Sequence, residues 1–187
     1  MKNSIKEIVI VGINVILITI SSWIEIPLII PITLQNLVLF VIIGVFGFKT
    51  SLKSIIFYIL IGLLGMPVFS NFSSGIIPFI NYTGGYLVSF IFYPFIYLLF
   101  DKIVKQNEFK KYLVSFAISL LISYILGTVW FYFILRIKEE ISFFYALTFT
   151  VLPFIVSDVI KLFVSILIIN RLKKNKEWLI IPYLFLG

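Results

Sequence analysis

The chain contains no cysteine and no histidine among its 187 residues. Without cysteine there are no disulfide bonds, thiolate nucleophiles or cysteine-bound clusters. Without histidine the chain lacks the most common protein ligand of transition metals and the usual proton shuttle near neutral pH. Charged residues are also scarce, at 12% of the chain. The sequence therefore offers few of the groups from which soluble enzymes build catalytic sites.

Catalytic motifs are missing as well. The stretch GVFGFKTS, residues 44–51, contains glycine, lysine and threonine, but not at the spacing of a phosphate-binding loop. No pair of carboxylates and no serine-centred constellation stands out. We therefore expect that the chain is not an enzyme and does not hydrolyse ATP itself.

What the chain has in abundance is apolar surface. Hydrophobic residues make up 61% of it and the mean hydropathy is +1.18. A soluble domain of this length needs more polar cover, because its surface is large relative to its volume. We interpret residues 1–187 as a single transmembrane domain in a lipid bilayer.

Six apolar runs have roughly the length of membrane-spanning helices. They cover about residues 5–23, 32–48, 52–66, 84–101, 112–135 and 146–169, and a tail at 170–187 follows them. Residues 66–83 are typical of a long loop, with prolines and small polar residues. The predicted fold is an all-α membrane protein with six transmembrane helices.

The cations alternate between the two ends of these helices. Twelve of the 15 lie at the N-terminus, after the second and fourth helices, or in the tail: Lys2, Lys6, Lys49, Lys53, Lys102, Lys105, Lys110, Lys111, Arg171, Lys173, Lys174 and Lys176. The positive-inside rule then places both termini in the cytoplasm. This topology accounts for the net charge of +7 without nucleic-acid binding.

The last apolar run, LPFIVSDVIKLFVSILII at residues 152–169, contains two opposite charges. Asp158 and Lys161 are three residues apart and so share one face of a helix. An ionised group at bilayer depth costs at least about 2.5–3.5 kcal/mol, so both side chains should face protein or a cavity. They could form an internal salt bridge that pins the helix. Alternatively, the acceptor carboxylate and the donor ammonium bind a polar ligand.

Two further polar clusters are predicted at the outer ends of helices. The stretch NYTGGYLVSF at residues 81–90 offers the side chains of Asn81, Thr83 and Tyr86, and Gly84 and Gly85 allow a close backbone approach. The stretch TLQN at residues 33–36 opens the second helix and includes Gln35. Each cluster is compatible with helix capping as well as with a ligand site.

The ordered motifs TLQ, LLGMPVF, YTGGYL, GTVW and PFIVSDVIK extend over most of the chain. In this order they resemble the BioY family, the biotin-binding S component of energy-coupling factor (ECF) transporters. The resemblance covers about residues 8–170, and its most specific parts are GMPVF…TGGY and the P-F-x-x-x-D-x-x-K segment.

The resemblance implies a multi-pass protein of the bacterial cytoplasmic membrane that captures biotin from outside. It implies as partners a transmembrane coupling subunit and two ATPase subunits, although the need for dedicated ATPases stays open. No cofactor is expected besides the ligand biotin. By matched position, the main polar contacts with biotin would be Asn81, Asp158 and Lys161. Further candidates are Gln35, Thr83, Tyr86, Gly84 and Gly85.

The first helix departs from the family pattern. S components usually have small residues four apart on this helix, where they dock on the coupling subunit. The matched positions here are Gly12 and Ile16. Three alternatives to biotin capture stay open: an S component for another vitamin, a stand-alone secondary transporter, and a scaffold pinned by the charge pair.

Overall fold

The computed structural model describes residues 2–136 and 142–175, most of which are helical. The helices are α1 (Lys2–Trp23), α2 (Gln35–Leu63), α3 (Ile77–Ile80), α4 (Gly84–Ser89), α5 (Phe92–Ile103), α6 (Glu108–Arg136), α7 (Phe143–Thr150) and α8 (Leu152–Lys174). Two short antiparallel strands, β1 (Glu25–Ile26) and β2 (Ile32–Thr33), connect α1 to α2. A 3₁₀ turn at Ser70–Phe72 lies between α2 and α3.

Five helical stretches in the described part of the chain are long and apolar enough to cross a membrane. They are Ile5–Trp23, Gln35–Leu63, Gly84–Ile103, Glu108–Arg136 and Phe143–Lys174. The second of them folds back on itself, so the five stretches provide six passes.

The reversal within α2 occurs at Gly47, whose φ of 73° and ψ of −173° are not helical. Only glycine adopts such a backbone readily. The side-chain amide of Gln35 donates to the hydroxyl of Tyr58 at 2.7 Å, although the two residues are 23 positions apart. A continuous helix would separate them by about 34 Å at 1.5 Å per residue. Residues 35–46 and 48–63 are therefore antiparallel segments, as the fold prediction of six transmembrane helices requires.

Two other passes are interrupted, and each contains a proline just after the interruption. Pro94 follows the break between α4 and α5, and Pro153 follows the break at Val151 between α7 and α8. A proline cannot donate its backbone nitrogen and its ring collides with the carbonyl four residues earlier. The fourth and sixth predicted helices therefore each consist of two consecutive helices.

Several predicted helix ends differ from those in the structure. The second helix begins at Gln35 and not at residue 32, because Ile32 and Thr33 pair with β1. The fifth begins at Glu108 and not at residue 112, and the side chain of Asn107 accepts a hydrogen bond from the amide of Lys110. The last helix continues to Lys174. The remainder of the predicted tail, residues 176–187, lies outside the described residues.

The core packs between α2, α5, α6 and α8. The ring of Phe40 stacks on Tyr93 and Phe116, with centroid separations of 5.4 and 4.4 Å. Ion pairs lie at the end that contains the Gly47 turn and the α5–α6 connection, including Lys53–Glu7 at 2.6 Å. The opposite end, where α2, α4 and α8 begin, has the candidate site.

Candidate ligand-binding site

A cavity opens where α2, α4 and α8 begin and reaches the middle of α6. Its volume is about 50 Å³. The lining combines apolar side chains with hydroxyl, amide and charged groups. The lining residues are Ile30, Pro31, Thr33, Gln35, Asn36, Ser70, Thr83, Tyr86, Leu87, Phe90, Ser123, Tyr124, Phe154, Asp158 and Lys161.

The predicted charge pair lies at this cavity. The ammonium of Lys161 donates to Asp158 Oδ1 at 2.9 Å, and their side chains are only 8% and 2% exposed. Both residues lie on α8, and the helical spacing of three positions brings them together. A buried ion pair is strongly destabilised when one partner is removed, so each charge holds the other in place.

Two neighbouring helices complete the surroundings of Asp158. Asn36 of α2 donates its amide to Oδ1 at 3.3 Å, and the hydroxyl of Tyr124 on α6 donates to Oδ2 at 2.9 Å. The carboxylate therefore accepts hydrogen bonds from α2, α6 and α8. Such bonds to an ionised acceptor are stronger than those between neutral groups. They fix the carboxylate at the junction of the three helices.

Gln35 also lines the cavity, but its side chain is engaged elsewhere. Its amide donates to the hydroxyl of Tyr58, which in turn donates to the carbonyl of Val68 at 3.1 Å. Its side-chain oxygen accepts from Thr33 at 3.3 Å. Gln35 thus ties the start of α2 to the second segment of that helix and to the following loop.

Tyr86 and Thr83 line the cavity from the α4 side. The hydroxyl of Tyr86 donates to the carbonyl of Thr150 at 2.6 Å, and its ring stacks on Phe154 with centroids 6.0 Å apart. The hydroxyl of Thr83 donates to the carbonyl of Pro78 at 2.9 Å. The Tyr86 hydroxyl thus connects α4 to α7, whereas the Thr83 hydroxyl bonds to nearby backbone, and both hydroxyl protons are engaged within the protein.

Asn81, Gly84 and Gly85 are not among the cavity-lining residues. Asn81 is exposed, and its side-chain oxygen accepts from the amide of Tyr82 at 2.8 Å. The two glycines are buried against other elements: a Cβ on Gly84 would overlap the carbonyl of Phe79, and one on Gly85 that of Leu126. Close packing of α4 on α3 and α6 accounts for both glycines, rather than close approach of a ligand.

The predicted docking positions lie on the outside of α1. A Cβ on Gly12 would have open space around it, and the side chain of Ile16 is 58% exposed. Asn14, between them in sequence, is buried and donates to Ser54 of α2 at 3.1 Å. Gly12 and Ile16 thus present an uncovered stripe, whereas Asn14 packs inward.

Within residues 2–136 and 142–175 no group of acidic side chains is arranged to hold a metal ion. The polar chemistry at the cavity is instead that of one carboxylate, one ammonium, amides and hydroxyls. An apolar wall with a few convergent polar groups is typical of a small-molecule site.

The sequence and this arrangement both match known proteins. The BioY family model matches residues 1–177. The chain belongs to the BioY family. This membership confirms the resemblance inferred from the ordered motifs.

Curated relatives match this chain almost end to end. It is 37% identical over 171 residues to the Biotin transporter BioY of Thermotoga maritima, covering 90% of this chain and 96% of that protein. It is 35% identical over 173 residues to the Probable biotin transporter BioY of Pyrococcus horikoshii, covering 91% and 98%. Each of these alignments thus covers nearly the whole of both proteins.

A solved structure has the same fold. The crystal structure of the S component for biotin from an ECF-type ABC transporter superposes with a TM-score of 0.81 at 26% identity. The match covers 93% of this chain and 94% of that one. The predicted all-α, S-component-like membrane fold is confirmed, and the protein is a multi-pass membrane protein.

Sequence reasoning missed Tyr124 and treated Asn36 only as part of a helix start. Asn36 is 122 positions from Asp158, and Tyr124 is 34 positions away. Tyr124 lies next to Ser123 within an apolar run and one turn before GTVW. These two hydroxyl-bearing residues interrupt the apolar run and could have indicated a polar site on this helix. The GTVW residues themselves hold the fold: Thr128 bonds to Thr150, and Trp130 donates to the carbonyl of Asn81.

Proposed function

We propose that this protein captures biotin at the outer face of the cytoplasmic membrane as the substrate-specific subunit of an ECF-type transporter. The observation that carries the proposal is the buried Asp158–Lys161 pair, joined by Asn36 and Tyr124 at one cavity of a BioY-family chain. The two relatives described above are a biotin transporter and a probable biotin transporter.

The polar groups of the cavity complement those of biotin. The ureido ring of biotin has two N–H donors and one carbonyl acceptor. The Asp158 carboxylate accepts from a ureido N–H, and Lys161 donates to the ureido carbonyl or to the carboxylate of the tail. Asn36 can donate to an acceptor of the ligand. The donors and acceptors of the ligand thus find partners in a site with little access for water.

The apolar lining suits the thioether ring of biotin. Leu87 and Phe90 are buried, and Phe154 stacks on Tyr86 at the edge of the cavity. The connection containing Ile30 and the loop containing Ser70 also line the cavity.

Transport across the membrane requires more than capture. No phosphate-binding loop occurs in the sequence. We therefore assign energy supply to partner subunits: a transmembrane coupling protein that docks on the Gly12–Ile16 stripe, and two ATPases. Without such partners the chain would bind biotin, and any uptake by the chain alone would need another source of energy.

The proposal is tested by equilibrium binding of radiolabelled biotin to the purified chain in detergent, with thiamine and riboflavin as competitors. We expect tight binding that an excess of neither competitor displaces. Asp158→Asn should weaken binding by at least about tenfold, because a buried ligand donor loses its charged acceptor. Asp101→Asn is the matched control, since Asp101 is also an ion-paired carboxylate, bonded to Lys111 at the opposite end.

Three outcomes would contradict the proposal. Failure of the wild-type chain to bind any of the three vitamins would remove the assignment as an S component for them. Tight binding of thiamine or riboflavin in place of biotin would keep the fold-level assignment and change the substrate. Equal affinity of wild type and Asp158→Asn for biotin would show that the pocket lies elsewhere.

A further inference from the structure

A chain of buried hydroxyl groups connects Asn36 with the helices α4, α5 and α6 beside the cavity. The hydroxyl of Tyr93 donates to Asn36 Oδ1 at 3.1 Å and lies 2.6 Å from Ser123 Oγ. Ser123 Oγ lies 2.5 Å from Ser89 Oγ, which lies 2.6 Å from the carbonyl of Tyr86. We call Ser89, Ser123 and Tyr93 the hydroxyl relay. The geometry points to a role for this relay in orienting the amide of Asn36 for the ligand, with Tyr93 as the positioning residue.

The relay has fewer protons than contacts. Four oxygen–oxygen contacts connect the carbonyl of Tyr86 with Asn36 Oδ1, but the three hydroxyls supply one proton each. One of the four contacts is therefore left without a proton. Which contact it is depends on the direction in which the hydroxyls donate.

The charge of Asp158 sets the direction at the Asn36 end of the relay. A carboxylate paired with Lys161 only accepts hydrogen bonds, so Asn36 must turn its Nδ2 toward it and its Oδ1 toward Tyr93. Tyr93 must then donate to Asn36, and at the other end Ser89 donates to the carbonyl of Tyr86. Ser123 has a single proton for its contacts with Ser89 and Tyr93, so the contact without a proton is one of these two.

The orientation of the Asn36 amide has a consequence for the ligand site. The Nδ2 of Asn36 has two hydrogens, of which the carboxylate of Asp158 takes one. The other is available to a carbonyl or carboxylate of a ligand in the cavity that Asn36 lines. Asn36 then supplies a donor beside Lys161, while Asp158 supplies the acceptor. Without the proton of Tyr93, Oδ1 of Asn36 loses its donor, and the amide is held by its bond to Asp158 alone.

Tyr93 is suited to this role because it has no access to the ligand. Its side chain is fully buried, and its ring packs on Phe40 and on Phe90. It is not among the residues that line the cavity. Phenylalanine at this position keeps the ring contacts and removes only the hydroxyl. The substitution therefore separates the effect of the relay hydrogen bonds from the effect of ring packing.

The test is a double-mutant cycle on biotin affinity, and it rests on the proposed function. We expect Tyr93→Phe to weaken biotin binding about tenfold, because a buried acceptor loses its donor. Asn36→Ala should weaken it at least as much. Since Tyr93 acts only through Asn36, the double variant should bind within about twofold of Asn36→Ala alone. A tyrosine that merely supports the fold would instead add its effect to that of Asn36→Ala.

Controls separate the possible failures. Tyr97→Phe, one turn further along α5 and outside the relay, should leave affinity unchanged. If thermal unfolding shows that Tyr93→Phe does not fold, Ser89→Ala takes its place in the cycle with the same expected non-additivity, because Ser89 is the relay serine that does not line the cavity. Additive effects, or unchanged affinity in Tyr93→Phe, would overturn the inference while the biotin assignment stands. Absence of biotin binding by the wild-type chain would overturn both.

Discussion

The hydroxyl of Tyr124 donates to Asp158 Oδ2 at 2.9 Å and joins the middle of α6 to the cavity end of α8. Asp158 Oδ1 is already bonded to Lys161 and Asn36, so Tyr124 supplies the donor for the other oxygen. The orientation of the carboxylate is thereby fixed from both sides. This bond links the residue most prominent in the sequence to one that the sequence did not single out.

Replacing Tyr124 with phenylalanine should weaken biotin binding without unfolding the protein. A hydrogen bond to a charged group contributes about 1.5–3 kcal/mol, which corresponds to roughly 10- to 150-fold in affinity if the bond persists in the complex. Equilibrium binding of biotin measures the change. Tyr132→Phe on the same helix is the control, because Tyr132 does not line the cavity. Unchanged affinity in Tyr124→Phe would mean that the ligand does not depend on this orientation of Asp158.

The charge pair itself can be separated into structural and ligand-binding roles. Lys161→Met leaves the Asp158 carboxylate buried without its cation and should destabilise the fold by about 3–5 kcal/mol. Adding Asp158→Leu removes the uncompensated charge and should restore much of the stability, but not biotin binding. Thermal unfolding and biotin binding are measured on the same samples. A double variant that still binds biotin would favour the structural-pin interpretation of the pair.

The strand β1 and the 3₁₀ turn after α2 are joined through Glu25. Its carboxylate accepts from the backbone amide of Asn71 at 3.2 Å, next to Ser70 of the cavity lining. Asn71 and Phe72 have φ values of 54° and 51°, which non-glycine residues adopt only when held in place. Trp23 contributes a second attachment through its bond to the carbonyl of Pro67 at 3.0 Å.

Glu25→Ala should therefore loosen the loop and speed the release of biotin by about three- to tenfold, as expected for the loss of one hydrogen bond. Stopped-flow or filter-binding measurements of the dissociation rate test this. Glu25→Gln keeps an acceptor oxygen and should restore slow release. Identical dissociation rates in the alanine and wild-type proteins would show that this contact does not restrain the loop in the bound protein.

The packing role assigned to Gly85 predicts a loss of stability on substitution. A methyl group there would collide with the backbone of Leu126, so Gly85→Ala should destabilise the protein by about 1–3 kcal/mol and separate α4 from α6. Gly12→Ala is the matched control, because a Cβ at Gly12 has nothing within 4 Å. Thermal unfolding should show a lower midpoint for the first variant only. Equal midpoints would indicate that the α4–α6 contact adapts to the added methyl.

Some features follow from the sequence because they depend on local spacing and composition. The apolar runs indicated a six-pass membrane protein, and the ordered motifs indicated the BioY family. Asp158 and Lys161 were paired correctly because a spacing of three positions on one helix brings side chains together wherever that helix lies. The break at Gly47 lies within a stretch whose glycines and lysines already indicated a turn between two helices.

Other features were decided by the packing of helices against one another. Asn36, Tyr124 and Tyr93 meet around Asp158 only because the rotation and depth of α2, α5 and α6 bring them there, and no sequence spacing encodes those quantities. Asn81 matched a family position, yet it is exposed and lies outside the cavity. Its side-chain oxygen accepts from the amide of Tyr82, and its backbone carbonyl accepts from the indole of Trp130. The sequence determined which residues lie in the membrane and on which helix face. The tertiary structure decided which of those faces meet, because side-chain packing between helices fixes distances that hydropathy and motif order leave open.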